Sequence, residues 1–176
     1  MSCLINSALA LDCMNAMGGL KTAYILAGTI TSTTVVAGEI TDIVGTGSFY
    51  EFQLAKDTAF FNEAINVSNT AGTVYYEGVL TMVLQKMDAE KRNQILLLAA
   101  NRDLRIAFVD QQDITWVMGL TRGAVMSASN AATGTAVADM NGYTLSFTAQ
   151  EPAAAYPLAV GDTLADVVTG ITVVAA

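Results

Sequence analysis

Few residues in this 176-residue chain are placed to do chemistry, and each such group has a plainer reading. Asp110 and Asp113 are close enough to act as a carboxylate pair. Acid–base catalysis needs one carboxyl group whose pKa is raised by burial. Both flank Gln111-Gln112, so they read as solvated turn residues. Asp139-Met140-Asn141-Gly142 resembles part of an acidic calcium loop, but the remaining ligands and the closing Glu are missing at the required spacing. It reads as a hairpin turn. Gly45-Thr46-Gly47 suggests a phosphate loop, yet a strand pattern follows where a helix N-terminus is needed. It reads as a turn between strands. Trp116 is a possible stacking platform, but between Ile114 and Met118 it reads as core. Asn66-Val67-Ser68 matches a glycosylation sequon and reads as chance.

Composition removes whole classes. There is no histidine, so no Ser-His-Asp or Cys-His nucleophile and no His-ligated metal. Cys3 and Cys13 are too few for a four-thiolate site; they read as reduced thiols, with a Cys3–Cys13 disulfide as the alternative. The expectation is no enzyme, no cofactor and no metal. Eight Lys and Arg against sixteen Asp and Glu give a net charge of −8, which does not favour wrapping a phosphate backbone. Hydrophobic residues are 53% and charged residues 14%, too apolar for disorder. A monomer of this mass should expose roughly 8,200 Å², or about one charge per ~340 Å². That is sparse for a lone soluble molecule. A spanning helix needs about 20 continuous apolar residues, and no such run is present. Met1–Gly18 lacks the basic start of a signal peptide. The reading is a protein made in the cytoplasm, not inserted in a membrane, that buries its surface against its own copies.

The elements that position these residues are mostly strands. Residues 1–19 read as an N-terminal arm, 20–151 as a β-domain, and 152–176 as an Ala/Val-rich C-terminal extension. Leu20–Ile30 reads as a strand, Thr31–Thr34 as a bend, and Val35–Val44 as a second strand pattern broken at Gly38. From Ser48 to Lys56, Tyr50, Phe52 and Leu54 alternate with Glu51 and Gln53. Asp57–Thr73 reads as a strand fragment and a loop. Its Phe60-Phe61 must point to opposite faces, so one aromatic ring leaves the core. Phe60 and Phe61 read either as core or local packing or as a contact between subunits; Phe60, Phe61, Asn66 and Asn69 are the candidate contacts between subunits. In Val74–Met87, Tyr76, Leu80, Met82 and Leu84 share one face, and Tyr75, Glu77, Thr81 and Gln85 the other. Asp88–Arg102 is the one convincing helix: Asp88 is an N-cap, and Ile95, Leu98 and Ala99 fall on one face. Strands follow at Asp103–Gln111, Ile114–Gly119 and Thr121–Ser129, then a loop to Asn141-Gly142. In Tyr143–Gln150, Tyr143, Leu145 and Phe147 alternate with Thr144, Ser146 and Thr148. The residues after Pro152 read as one or two short strands. Four of the eight basic residues lie between Lys86 and Arg102, while the chain from Ile106 onward has six acids and one arginine. Either this polarity steers neighbouring copies together or the helix face is merely solvated.

The order of these patterns resembles the tail tube (major tail) proteins of long-tailed bacteriophages. The likeness spans roughly Leu20 to Glu151. It rests on the long β-block before Asp88-Ala-Glu-Lys-Arg-Asn-Gln-Ile-Leu-Leu-Leu, on Leu104-Arg-Ile-Ala-Phe-Val-Asp, on Trp116-Val-Met-Gly119 and Gly123, and on Asn141-Gly-Tyr-Thr-Leu-Ser-Phe147. The resemblance implies a mainly β fold, a sandwich or barrel with one flanking helix. It implies hexameric rings joined into a ring-spanning β-barrel and stacked into a tube, with other tail proteins as partners. It implies a virion protein of the tail, through which DNA passes without specific binding during genome ejection. Asp57–Thr73, or alternatively Thr31–Gly47, would be the loop that reaches the next ring. The candidate lumen lining is Glu51, Gln53, Glu77, Thr81, Gln85, Thr144, Ser146 and Thr148. The alternatives are another virion component, such as a capsid decoration or head–tail protein, and a soluble β-rich module that binds carbohydrate or protein near Trp116 or Tyr75/Tyr76.

Overall fold

The computed structural model describes residues 8, 9, 11 and 14–176. Cys3 and Cys13, and with them the disulfide question, lie outside the described residues. The chain forms β1 (Leu20–Val36), β2 (Glu39–Gln53), β3 (Phe60–Ser68), β4 (Thr73–Gln85), α1 (Ala89–Ala100), β5 (Ile106–Asp110), β6 (Thr115–Met118), β7 (Ala124–Ala132), β8 (Gly142–Glu151), β9 (Tyr156–Pro157), α2 (Leu164–Val167) and β10 (Val168–Val174). The fold is mainly β, as the alternation implies. It holds two sheets: a six-stranded one in the order β10-β2-β1-β5-β6-β9 and a four-stranded one in the order β3-β4-β8-β7. Neither closes into a barrel. No helix among the described residues is long and apolar enough to cross a membrane.

The two sheets face each other across the main core. Ala23 and Ile25 of β1, Ile106 and Phe108 of β5, Leu80 and Met82 of β4, and Leu145 and Phe147 of β8 meet there. The six-stranded sheet is buried on its far face too. Leu26, Phe49, Ala107 and Val117 form a second core with Leu158, Leu164, Val167 and Ile171. Residues 152–176, read from sequence as an extension, therefore pack into the domain. β10 joins β2 in a parallel ladder from Val168↔Ile43 to Val174↔Tyr50. The short helix α2 was not legible in the sequence. Its start is fixed by Asp166, whose carboxylate accepts from the Thr163 backbone N–H (2.9 Å) and hydroxyl (2.6 Å).

Two turns expected from the sequence are strand interior. β1 continues through Thr31–Thr34 to Val36, with register shifts against β2 between Ile30 and Ser32 and between Thr34 and Val35, and β2 runs on through Gly45-Thr46-Gly47. The glycines serve close approach instead of reversal. Gly28 and Gly47 are cross-strand partners, and a Cβ on Gly28 would collide with the Thr46 carbonyl. The reversal falls at Ala37-Gly38, both at positive φ (55° and 92°), the geometry of a tight two-residue hairpin. Asp57–Thr73 likewise holds more strand than expected. β3 pairs with β4 from Phe60↔Thr81 to Ser68↔Thr73, leaving only a short turn.

The expected helix forms as α1, between two β-blocks. The Asp88 side chain caps it by accepting from the Lys91 N–H at 2.8 Å. Ile95 and Leu98 pack against the main core, while Ala99 is exposed and no residue of α1 is fully buried.

Candidate functional site

The alternation along β4 and β8 divides the four-stranded sheet into two chemically different faces. Leu80, Met82 and Leu84 of β4 and Leu145 and Phe147 of β8 turn inward and are buried. Their neighbours turn outward. The register places Thr81 beside Ser146 and Phe60, Val79 beside Thr148, Val83 beside Thr144, and Glu77 beside Gln150. Thr81 and Ser146 share a hydroxyl hydrogen bond of 3.1 Å, and the Gln150 amide donates to the Glu77 carboxylate at 2.9 Å. β7 extends the same face with Val125, Ala128 and Asn130.

Six of the eight lumen candidates meet here: Glu77, Thr81, Gln85, Thr144, Ser146 and Thr148. They form one face on which Glu77 is the only charged side chain of β4, β8 and β7, with hydroxyls and amides interleaved with Val79, Val83, Val125 and Ala128. Glu51 and Gln53 do not join them. They lie on the face of β2 shared with Phe49, away from the four-stranded sheet, and the Glu51 carboxylate accepts from the Ala176 N–H at 3.0 Å. Both sheets separate them from the other six. Their alternation was legible, but it does not say which layer a strand joins.

The contact candidates divide as the parity argument requires. Phe61 turns inward, its ring centroid 4.5 Å from that of Phe108. Phe60 turns outward and is 55% exposed. Asn66 pairs with Tyr75 near the tip of the β3–β4 hairpin, and Asn69 sits in its turn. This tip extends beyond the Tyr76↔Glu151 pair at the end of the β4–β8 ladder and exposes Ile65, Val67, Val74 and Tyr75. The β1–β2 tip exposes Val35 and Val36 in the same way. Both alternatives for a reaching loop are thus projecting hairpins.

The two sheet edges lack partners. Among the described residues, no strand pairs with the outer edge of β3, and β7 is bonded there only at Ala124, to Leu104. Unpaired edges of this length are templates for adding strands.

The other candidates resolve into structural roles. One Asp110 carboxylate oxygen accepts from the Gln112 (2.8 Å) and Ile114 (3.0 Å) N–H groups, and the other from Trp116 Nε1 (3.2 Å). Asp113 pairs with Lys21. Trp116 is half-buried against the main core. Asp139 folds the β7–β8 loop around itself, accepting from the Thr135 and Ala136 N–H groups at 2.7 Å each. Those bonds, Ala136 first, hold its carboxyl below the ordinary aspartate value. Among the described residues no three His, Cys, Asp or Glu side chains gather where they could hold a metal. Compared with family models, with curated proteins and with solved structures, the chain finds no match in any of the three.

Proposed function

We propose that this chain is a structural subunit that closes into rings and stacks into a tube, the conduit of a phage tail. The observation that carries the reading is the outer face of the four-stranded sheet. It is open, rich in hydroxyls among small apolar side chains and nearly uncharged, and it lies between two edges without strand partners. Neighbouring strands alternate in direction, so β3 and β7 run opposite ways. When a copy is rotated beside another, β7 of one therefore meets β3 of the next as an antiparallel pair. Such head-to-tail contacts close into a ring when the rotation divides a full turn. Six copies per ring is the number the family likeness implies. The ladder would continue from copy to copy, satisfying edge N–H and C=O groups and removing an aggregation hazard.

The lining then has a physical purpose. Lys and Arg hold phosphates by displacing counterions. A wall of Thr, Ser, Gln and Val around Glu77 lacks such anchors and lets a polyanion slide. The projecting β3–β4 and β1–β2 tips, with exposed Ile, Val and Tyr, suit contacts between stacked rings. On this reading the protein is not an enzyme and acts in the virion tail. Negative-stain microscopy of purified protein tests it: rings or tubes with a central hole are expected, and uniform small particles at all concentrations overturn it.

A further inference from the structure

The two flanks of the sandwich carry complementary chemistry. α1 lies over β1 and β2, with Leu97, Leu98 and Asn101 approaching Ile25, Tyr50 and Phe52, and it neighbours β7. It leaves Leu96 and Leu97 63% and 65% exposed. Ala99 and Ala100 beside them are also exposed. Among the described residues, Lys86, Arg92 and Arg102 at this element form no ion pair. This is the cationic part of an acidic chain.

The opposite flank carries the free edge of β3. Between that edge and the β5–β6 turn opens a cleft of about 440 Å³, with the lead-in to β1 along one side. Phe60, Phe61 and Trp116 supply aromatic surface, with Phe108 buried behind them, Glu63 and Asp110 supply charge, and among the described residues no basic side chain lines it. Trp116 is half-buried and Phe60 is the exposed member of its pair. The cleft therefore suits aliphatic side chains accompanied by a cation, through apolar burial, charge attraction and cation–π contact.

Resting on the ring reading, we infer that α1 of one copy docks in the aromatic cleft of the next, Leu96 and Leu97 seated in it and Arg92 set toward its carboxylates. Rotation places the α1/β7 flank of each copy against the β3 flank of its neighbour, so one operation brings together the β7–β3 ladder and the helix–cleft contact. The second contact explains why a helix at the surface keeps adjacent leucines outward and why the basic residues cluster on it.

Disulfide trapping tests the contact. In a background with Cys3→Ser and Cys13→Ser, Leu97→Cys is combined with Phe60→Cys; both side chains are exposed, so folding is retained. Mild oxidation should give a ladder of covalent multimers on a non-reducing gel only when both substitutions are present. In parallel, Leu96→Glu with Leu97→Glu should raise the concentration needed for assembly at least tenfold. Rings seen by microscopy without a covalent ladder, and with the glutamate variant assembling normally, overturn the helix–cleft contact and leave the ring reading standing. A covalent dimer from Leu97→Cys alone, the mark of a two-fold contact, overturns it as well. Absence of rings in the unsubstituted protein overturns both.

Discussion

Replacing Phe60 and Phe61 one at a time with alanine separates the two faces of β3. Phe61 packs against the core, its ring tilted 37° to that of Phe108. It also crosses Gly78, where an added Cβ would come within 3.0 Å of the ring. Truncating a fully buried phenylalanine costs about 3–5 kcal/mol. Phe61 is half-buried, so Phe61→Ala should cost about 2–3 kcal/mol, the aromatic pair included. For a chain of this length each kcal/mol shifts Tm by about 2–4 °C, which gives a drop of ~4–12 °C. Phe60 is 55% exposed, and Phe60→Ala should change stability by no more than about 0.5 kcal/mol in dilute, unassembled protein. Thermal and urea unfolding followed by circular dichroism measure both. Assembly should rank them the other way, because Phe60 faces the proposed neighbour. Equal losses of stability, or a larger loss for Phe60→Ala, would refute the assignment of faces on β3.

Replacing both Glu77 and Gln85 with lysine should leave ring assembly intact but impair genome ejection, because added cations hold phosphate; unchanged infectivity would remove the lumen assignment. Ala37→Asn should raise stability by about 0.5–1 kcal/mol in urea titration, since asparagine tolerates positive φ better than alanine. Acid should destabilise the fold in a defined direction. The carboxyls of Asp88, Asp139 and Asp166 are held below the ordinary value of 3.8 by the Lys91 backbone N–H, the Ala136 backbone N–H and the Thr163 hydroxyl respectively. A lowered folded pKa gives stability that is fully present above the unfolded value and is lost as pH falls through the folded one. Tm should therefore stay level above about pH 5 and fall below about pH 4. Asp139→Asn should flatten part of that fall, and an unchanged acid profile would contradict the loop's dependence on this carboxylate.

Much of the local structure was legible because it is written at short range. The period-two runs in β4 and β8 mark Leu80, Met82, Leu145 and Phe147 for burial, and these residues are buried. Asp88 marks the start of α1, and adjacent Phe60 and Phe61 divide between faces. Errors arose where one residue type serves two geometries. Glycine at 45 and 47 signals a turn in sequence but permits close packing of strands in the fold. The Thr-rich stretch at 31–34 reads as a bend, yet threonine is equally a strand residue, and the pairing with β2 decides for the strand.

The sequence by itself determined that this protein is mainly β, charge-poor and acidic, and it determined which side chains on each strand share a face. These follow from composition and from the alternation of Cβ directions along an extended backbone. Only the tertiary structure decided which sheet each strand joins and which neighbours its faces meet. Glu51/Gln53 and Glu77/Thr81 follow the same alternation, yet the first pair belongs to the six-stranded sheet, where Glu51 meets Ala176, and the second to the outer face of the four-stranded sheet. The difference is made by ladders between residues more than a hundred positions apart, such as Ser48↔Thr172. Pairing over that distance depends on which complete apolar faces fit together, and no local window of sequence contains that information.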